Sequence, residues 1–111
     1  SGYEAARVLL RSPDRPTALF CSNDDMAIGA MRAAQEYGLK IPADLSLVGF
    51  DDTVKAAMVY PPLTTIKQPL FTMGETAAML VKRRIDGERV ENPAIMLNTE
   101  LIVRGSTARR M

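Results

Sequence analysis

The chain has 111 residues, of which 47% are hydrophobic and 24% are charged. This length fits one domain, and the composition is that of a globular protein rather than a disordered, collagen-like or membrane-spanning one. With 14 Lys and Arg against 13 Asp and Glu, the net charge of +1 lacks the basic excess of a nucleic-acid-binding domain.

The first part of the chain predicts a helix followed by a strand. Ser1 and Glu4 have the spacing of a capping box at the first turn of a helix. Apolar residues then recur at helical intervals over residues 2–11, and Ser-Pro-Asp at 12–14 ends the pattern. Residues 17–22 are a short apolar run, typical of a buried strand.

A second helix is expected directly after this strand. Asn23 is placed to cap it, and Gly38 to terminate it after about residue 37. Asp24 and Asp25 lie in its first turn, where the helix dipole favours negative charge.

The stretch LSLVGFDD at residues 45–52 predicts a buried strand that stops at two carboxylates. Its near-continuous apolar run is typical of a parallel strand covered on both faces, and Gly49 allows another group to approach closely. Asp51 and Asp52 follow at the carboxyl end of the strand. In open α/β sheets, ligands bind beyond this end.

The second half continues the alternation of helix and strand. A short helical turn is expected over 54–59, ended by prolines at 61 and 62, and a brief strand over 63–66. Thr72 and Glu75 predict a second capping box, which opens a helix to about residue 86. An extended segment within 93–103 and a frayed tail over 104–111 follow. The whole pattern predicts an α/β fold with right-handed crossovers and a mostly parallel sheet. The residues expected on the inward face of the last helix are Met73, Ala77, Leu80 and Val81.

Three polar side chains are placed where a ligand could reach them. Asn23 and Asp51 end two of the strands, and Gln68 follows the third. A carboxylate can accept two hydroxyl hydrogens, and amides both donate and accept, so the set suits a neutral, hydroxyl-rich or amide-bearing small molecule. Local roles compete with this interpretation. The alternative is that each side chain has only a structural role: Asn23 as a helix cap, Asp51 as an Asx-turn residue and Gln68 as a loop residue.

The paired carboxylates at 24–25 and 51–52 also allow a magnesium site, as in an enzyme or a phosphorelay receiver. The sequence contains no histidine, no nucleophile–base pair is evident, and no lysine follows the pairs in a receiver-like arrangement. The single cysteine excludes an internal disulfide and fits a reducing compartment. We therefore expect neither an enzyme nor a metal or cofactor site.

Several segments resemble the LacI/GalR family of bacterial transcription regulators. They are PTALFCSND at 16–24 with MAIGAMRAA at 26–34, IPADLSLVGFDD at 41–52, PPLTTIKQP at 61–69 with Met73-Gly74 after it, and ELIVRGST at 100–107. The segments occur in the family's order and cover nearly the whole chain.

This resemblance implies a Rossmann-like three-layer α-β-α architecture, as in the C-terminal subdomain of type I periplasmic binding proteins, in incomplete form. Residues 1–111 are then expected to be part of that subdomain, without the helix-turn-helix DNA-binding domain and most of the N-terminal subdomain. The family positions that match Asn23, Asp51 and Gln68 contact the effector, which favours a saccharide or a nucleoside. Asp25 departs from the family, which usually has an apolar or amide residue there.

The resemblance also implies a cytoplasmic homodimer with no membrane partner. Its effector would act allosterically on operator DNA, which only the N-terminal domain would bind. A periplasmic sugar receptor of the same fold is the alternative, and a signal peptide would distinguish it. Ordinary core packing is the competing interpretation for the candidate dimer-interface residues, which are Ile28, Met31, Arg32, Met58, Val59 and Tyr60.

Overall fold

The computed structural model describes residues 1–91 and 94–110. Helices and strands alternate along the chain, which confirms the predicted α/β class and element order. The chain forms two compact units, one from Ser1–Lys67 with the segment from Leu101 onward and the other from Gln68–Glu100. The elements are α1 (Gly2–Leu10), β1 (Ala18–Phe20), α2 (Asp24–Glu36), β2 (Ser46–Val48), α3 (Val54–Met58), β3 (Thr65–Lys67), α4 (Leu70–Ile85) and β4 (Glu100–Ile102).

β1, β2 and β3 of the first unit run parallel to one another. β1 pairs with β2 in a register that sets Leu19 opposite Leu47. Parallel bridges join Val48 to Thr64 and Asp51 to Lys67, so β3 extends the arrangement on the other side of β2. β3 also pairs with β4. The carboxyl ends of β1, β2 and β3 therefore lie along one edge.

The core of the first unit is shared by α1, α2, β2 and α3. Small side chains on α2 allow close packing, and a methyl group at Gly29 would lie 2.8 Å from the backbone nitrogen of Tyr3 on α1. The helices are thus held nearly in backbone contact. The buried apolar residues are Ala6, Leu10, Ala27, Ala30, Met31, Ala33, Ala34, Leu45, Leu47, Ala56 and Leu63.

β2 is buried on one face rather than on both. Leu45 and Leu47 are buried, whereas Val48 and Phe50 on the opposite face are half-buried. Phe20 of the neighbouring β1 is 67% exposed. The prediction of a strand covered on both faces is wrong for the described residues, because the helices share their core with the Leu45–Leu47 face.

Helix α4 differs from its prediction in its start and in its burial. It begins at Leu70 with Pro69 as N-cap and no side-chain capping bond, so Thr72 and Glu75 lie inside the helix. Of the residues predicted to face inward, Met73, Ala77 and Val81 are exposed and Leu80 is half-buried. The inward assignment is wrong here because, among the described residues of the second unit, no other helix is present for α4 to pack against.

The segment after β4 is packed rather than frayed. Ser106 is fully buried, and its Oγ donates to the Leu47 carbonyl at 2.6 Å and accepts from the Thr64 amide at 2.8 Å. The Leu47 amide in turn donates to the Ser106 carbonyl at 2.9 Å. The frayed-tail prediction is therefore wrong for this segment, because its polar groups pair with β2 and with the residue before β3.

The extended segment predicted within 93–103 is confirmed only at β4, Glu100–Ile102. Pro93 lies outside the described residues. Within residues 1–91 and 94–110, no helix has the length and apolar character needed to cross a membrane.

Candidate functional site

Asn23 lies between β1 and α2 and caps the helix. Its Oδ1 accepts a hydrogen bond from the Met26 amide at 2.8 Å, which confirms the predicted cap. The adjacent amide of Asp24 donates to the Phe50 carbonyl at 3.0 Å. This bond joins the start of α2 to the residue before Asp51, so the two predicted site positions, Asn23 and Asp51, lie next to the two residues that it links.

Asp51 and Asp52 form a turn with strained backbone geometry. Their φ angles are 114° and 55°, in the region that residues other than glycine rarely adopt. Asp51 is held there by its amide, which donates to the Ile66 carbonyl at 2.9 Å. Such strain costs about 1–3 kcal/mol per residue and concentrates at binding sites. The turn is therefore the strongest local indication of a functional site in the first unit.

Gln68 directly follows β3 and is the first residue of the second unit. It is half-buried, and its carbonyl accepts from the Leu70 amide at 2.9 Å, at the start of α4. Its role as a third effector contact stays a prediction.

Asp24 is the site residue that sequence reasoning missed. Its side chain is fully buried. Oδ2 accepts from the amide and the hydroxyl of Thr53 at 2.7 and 3.1 Å, and Oδ1 accepts from the Thr65 hydroxyl at 2.6 Å. A buried carboxylate is tolerated when it is hydrogen-bonded in this way. The only sequence signal was its place in the first turn of α2, which Asp25 shares.

Asp25 and Asp52, which directly follow Asp24 and Asp51 in the sequence, are both paired with cations. Asp52 Oδ1 lies 2.8 Å from the Arg104 guanidinium, and both side chains are mostly buried, at 16% and 21% exposure. Asp25 pairs with Lys55 at 3.2 Å, where both groups are exposed and the pair contributes little. Across the described ranges, no group of three or more His, Cys, Asp and Glu is arranged to hold a metal ion. Asp24 and Asp52 therefore join distant parts of the fold, whereas Asp25 lies in an exposed pair.

A groove of about 240 Å³ lies between α2 and the segment after α3, and it gathers five of the predicted dimer-interface residues. Its lining comprises Ile28, Met31, Arg32, Gln35, Val59 and Tyr60. The sixth candidate, Met58, is adjacent in sequence and 76% exposed, and Tyr60 is 88% exposed. Met31 is buried in the core, so it can only form the floor of the groove.

Arg32, on the rim of this groove, already has partners within the chain. Its guanidinium lies 4.8 Å from the centre of the Tyr3 ring and 3.6 Å from the Glu36 carboxylate. Tyr3 also donates a hydrogen bond to Glu36. These contacts link the arginine to α1 as well as to its own helix.

Cys21, directly after β1, is half-buried, and this burial raises the pKa of its thiol. A raised pKa keeps the thiol protonated at neutral pH, and only the thiolate is nucleophilic. We expect iodoacetamide to alkylate Cys21 much more slowly in the folded protein at pH 7 than in urea at the same pH, as measured by mass spectrometry. Equal rates in the two conditions would contradict this.

The chain is similar to a known domain family and, over part of their length, to several longer proteins. Residues 1–107 match the periplasmic binding protein-like domain family. The HTH-type transcriptional repressor PurR of Escherichia coli is 46% identical over 108 residues, which cover 97% of this chain and 32% of that protein. The chain therefore spans about a third of the length of this curated relative.

Two solved structures show the same similarity in three dimensions. A lac repressor dimer bound to operator and the anti-inducer ONPF superposes with a TM-score of 0.89 and 38% identity, covering 97% of this chain and 37% of that one. The transcriptional regulator CelR in complex with cellobiose gives a TM-score of 0.88 and 39% identity, covering 96% and 32%.

Proposed function

Because this chain belongs to the periplasmic binding protein-like family and is homologous to the effector-binding domains of LacI- and PurR-type transcriptional regulators, we propose that it senses a small polar effector within such a regulator. The observation that carries the proposal is the strained Asp51–Asp52 turn. It lies at the carboxyl end of β2, joined through the Phe50 carbonyl to the start of α2. Ligands of open α/β folds bind at this end of the strands.

The chemistry of the proposed contacts favours a saccharide or a nucleoside. The Asp51 carboxylate can accept two hydroxyl hydrogens, and the amides of Asn23 and Gln68 can donate as well as accept. Asp24 and Asp52 are occupied by partners within the fold. The proposal therefore assigns no ligand contact to these two side chains. A carboxylate together with two amides suits a neutral ligand with several hydroxyls. No catalytic step or cofactor is part of the proposal.

Control of DNA binding would be allosteric. The chain would form part of the C-terminal subdomain, with operator DNA bound by an N-terminal helix-turn-helix domain in the cytoplasm. An effector can shift operator affinity only as far as its own affinity differs between the two arrangements of the protein. The groove between α2 and the segment after α3 would face a second copy of the chain, as the dimeric lac repressor supports.

We expect calorimetric titration of the intact protein to identify the effector class. Cellobiose and ribose represent the saccharides, and adenosine represents the nucleosides. Asp51→Asn should then weaken the binding of the responding ligand by about 1.5–3 kcal/mol, because a neutral amide cannot replace hydrogen bonds to a charged group. The control is Asp25→Asn, which removes the same charge from an exposed position.

Unchanged affinity in Asp51→Asn would remove this residue from the site. A failure of all three compounds to bind would count against the saccharide and nucleoside classes.

A further inference from the structure

We propose that Asp24 is a positioning residue that holds the Asp51 turn in its strained conformation and thereby fixes the place of the Asp51 carboxylate. Asp24 is fully buried, so it would support the turn from the interior of the first unit. The expected effect on ligand binding rests on the proposed effector role of Asp51, whereas the expected effect on the backbone conformation of Asp51 does not.

Asp24 holds the backbone on the N-terminal side of the turn. Its own amide donates to the Phe50 carbonyl at 3.0 Å, one residue before Asp51. The same amide lies at the first turn of α2, which has 13 residues and is capped by Asn23. The turn is thereby anchored to the end of a stable helix.

Asp24 also holds the backbone on the C-terminal side. Its Oδ2 accepts from the Thr53 amide at 2.7 Å and from the Thr53 hydroxyl at 3.1 Å. Its Oδ1 accepts from the Thr65 hydroxyl at 2.6 Å, and that hydroxyl oxygen accepts from the Asp52 amide at 3.3 Å. The residues on both sides of Asp51 are therefore tied to Asp24, Phe50 through its backbone amide and Asp52 and Thr53 through its carboxylate.

The Asp24 carboxylate is closely packed against the backbone at Gly49. A methyl group at Gly49 would lie 2.4 Å from Asp24 Oδ1. The Arg104 guanidinium independently fixes the Asp52 side chain at 2.8 Å. The carboxylate of Asp24 accepts all three side-chain bonds at once. An asparagine amide could keep the contact with Thr65 only by reversing that bond, at a hydroxyl oxygen that already accepts from the Asp52 amide.

The test compares Asp24→Asn with Asp25→Asn in the ligand-free intact protein. Both remove one negative charge from the first turn of α2, so any loss of dipole stabilisation is matched. The readouts are the three-bond coupling between HN and Hα of Asp51, which reports its φ, and hydrogen exchange of the Thr53 amide. We expect Asp24→Asn to change the coupling and to accelerate Thr53 exchange by roughly tenfold or more. Asp25→Asn should change neither.

A second pair of variants keeps the inference testable if Asp24→Asn does not fold. Thr65→Val removes the hydroxyl that links Asp24 to the Asp52 amide at nearly constant volume, and Thr65→Ser retains it. We expect Thr65→Val to change the Asp51 coupling and Thr65→Ser to leave it at the wild-type value. A general loss of stability does not change this coupling in the folded state. Folded Asp24→Asn or Thr65→Val protein with the wild-type Asp51 coupling would overturn the proposal.

The functional consequence is measured with whichever of cellobiose, ribose and adenosine the wild type binds. We expect Asp24→Asn to weaken its binding by about tenfold. If Asp51→Asn leaves affinity unchanged while Asp24→Asn changes the coupling, the proposed function fails and the positioning role stands. If Asp51→Asn weakens binding while Asp24→Asn leaves the coupling unchanged, the positioning role fails.

Discussion

Ile28→Asp is expected to convert the proposed dimer to a monomer at micromolar concentration, as measured by light scattering. Ile28 lines the groove between α2 and the segment after α3, and a carboxylate there would be desolvated at the centre of the proposed interface. A two-fold symmetric interface contains each substitution twice. The combined cost is on the order of 4 kcal/mol or more, as for the loss of interface hot spots.

Tyr60→Asp should have the same effect, because Tyr60 lines the same groove and is 88% exposed within the single chain. Val8→Asp is the matched control, since Val8 is also apolar and exposed but lies on α1, outside the groove. A dimer that persists in both groove variants would show that the interface lies elsewhere. Circular dichroism would verify that each variant is folded.

Gly49→Ala is expected to lower the free energy of unfolding by about 3 kcal/mol, the upper end of the range for overpacking a core. The added methyl group would lie 2.4 Å from Asp24 Oδ1 and 2.9 Å from Leu63 Cδ2. The Asp24 carboxylate cannot move aside cheaply, because its three side-chain bonds would have to break. Urea denaturation followed by circular dichroism measures the change.

Gly74→Ala provides the opposite control for this prediction. Nothing lies within 4 Å of a methyl group at Gly74, which is inside α4. Replacing a helical glycine by alanine stabilises a helix by roughly 1 kcal/mol, so we expect Gly74→Ala to be neutral or stabilising. A Gly49→Ala protein with wild-type stability would mean that the Asp24 site is looser than its geometry indicates.

Local sequence patterns were sufficient to identify the elements and two of the proposed site residues. Helix caps depend on neighbours a few positions away, so Ser1 and Asn23 could be assigned as caps from the sequence. The strands at 17–22 and 45–52 were visible as apolar runs, and Asp51 followed from the rule that ligands bind at the carboxyl ends of such strands. The capping box at Thr72 failed because the helix begins earlier, at Leu70, without a side-chain cap.

Burial was less predictable than secondary structure. Hydrophobic periodicity showed which faces of β2 and α4 are apolar. It does not show whether another helix or strand packs against each face. Leu47 is buried beneath the helices, whereas Phe20 and Val81 are exposed in the described chain. The same apolar patterns therefore predicted the strand and the helix correctly but their burial incorrectly.

The sequence by itself determined the α/β class, the order of the elements and the placing of Asn23 and Asp51 at strand ends, because these depend on interactions within one element. Only the tertiary structure decided that Asp24, rather than Asp25, is buried beneath the turn. It likewise decided that Arg104 pairs with Asp52 and that Ser106 joins β2 to Thr64. These bonds link residues 29 to 59 positions apart in the chain. No local period or spacing carries that information, since such partners meet only when the sheet forms.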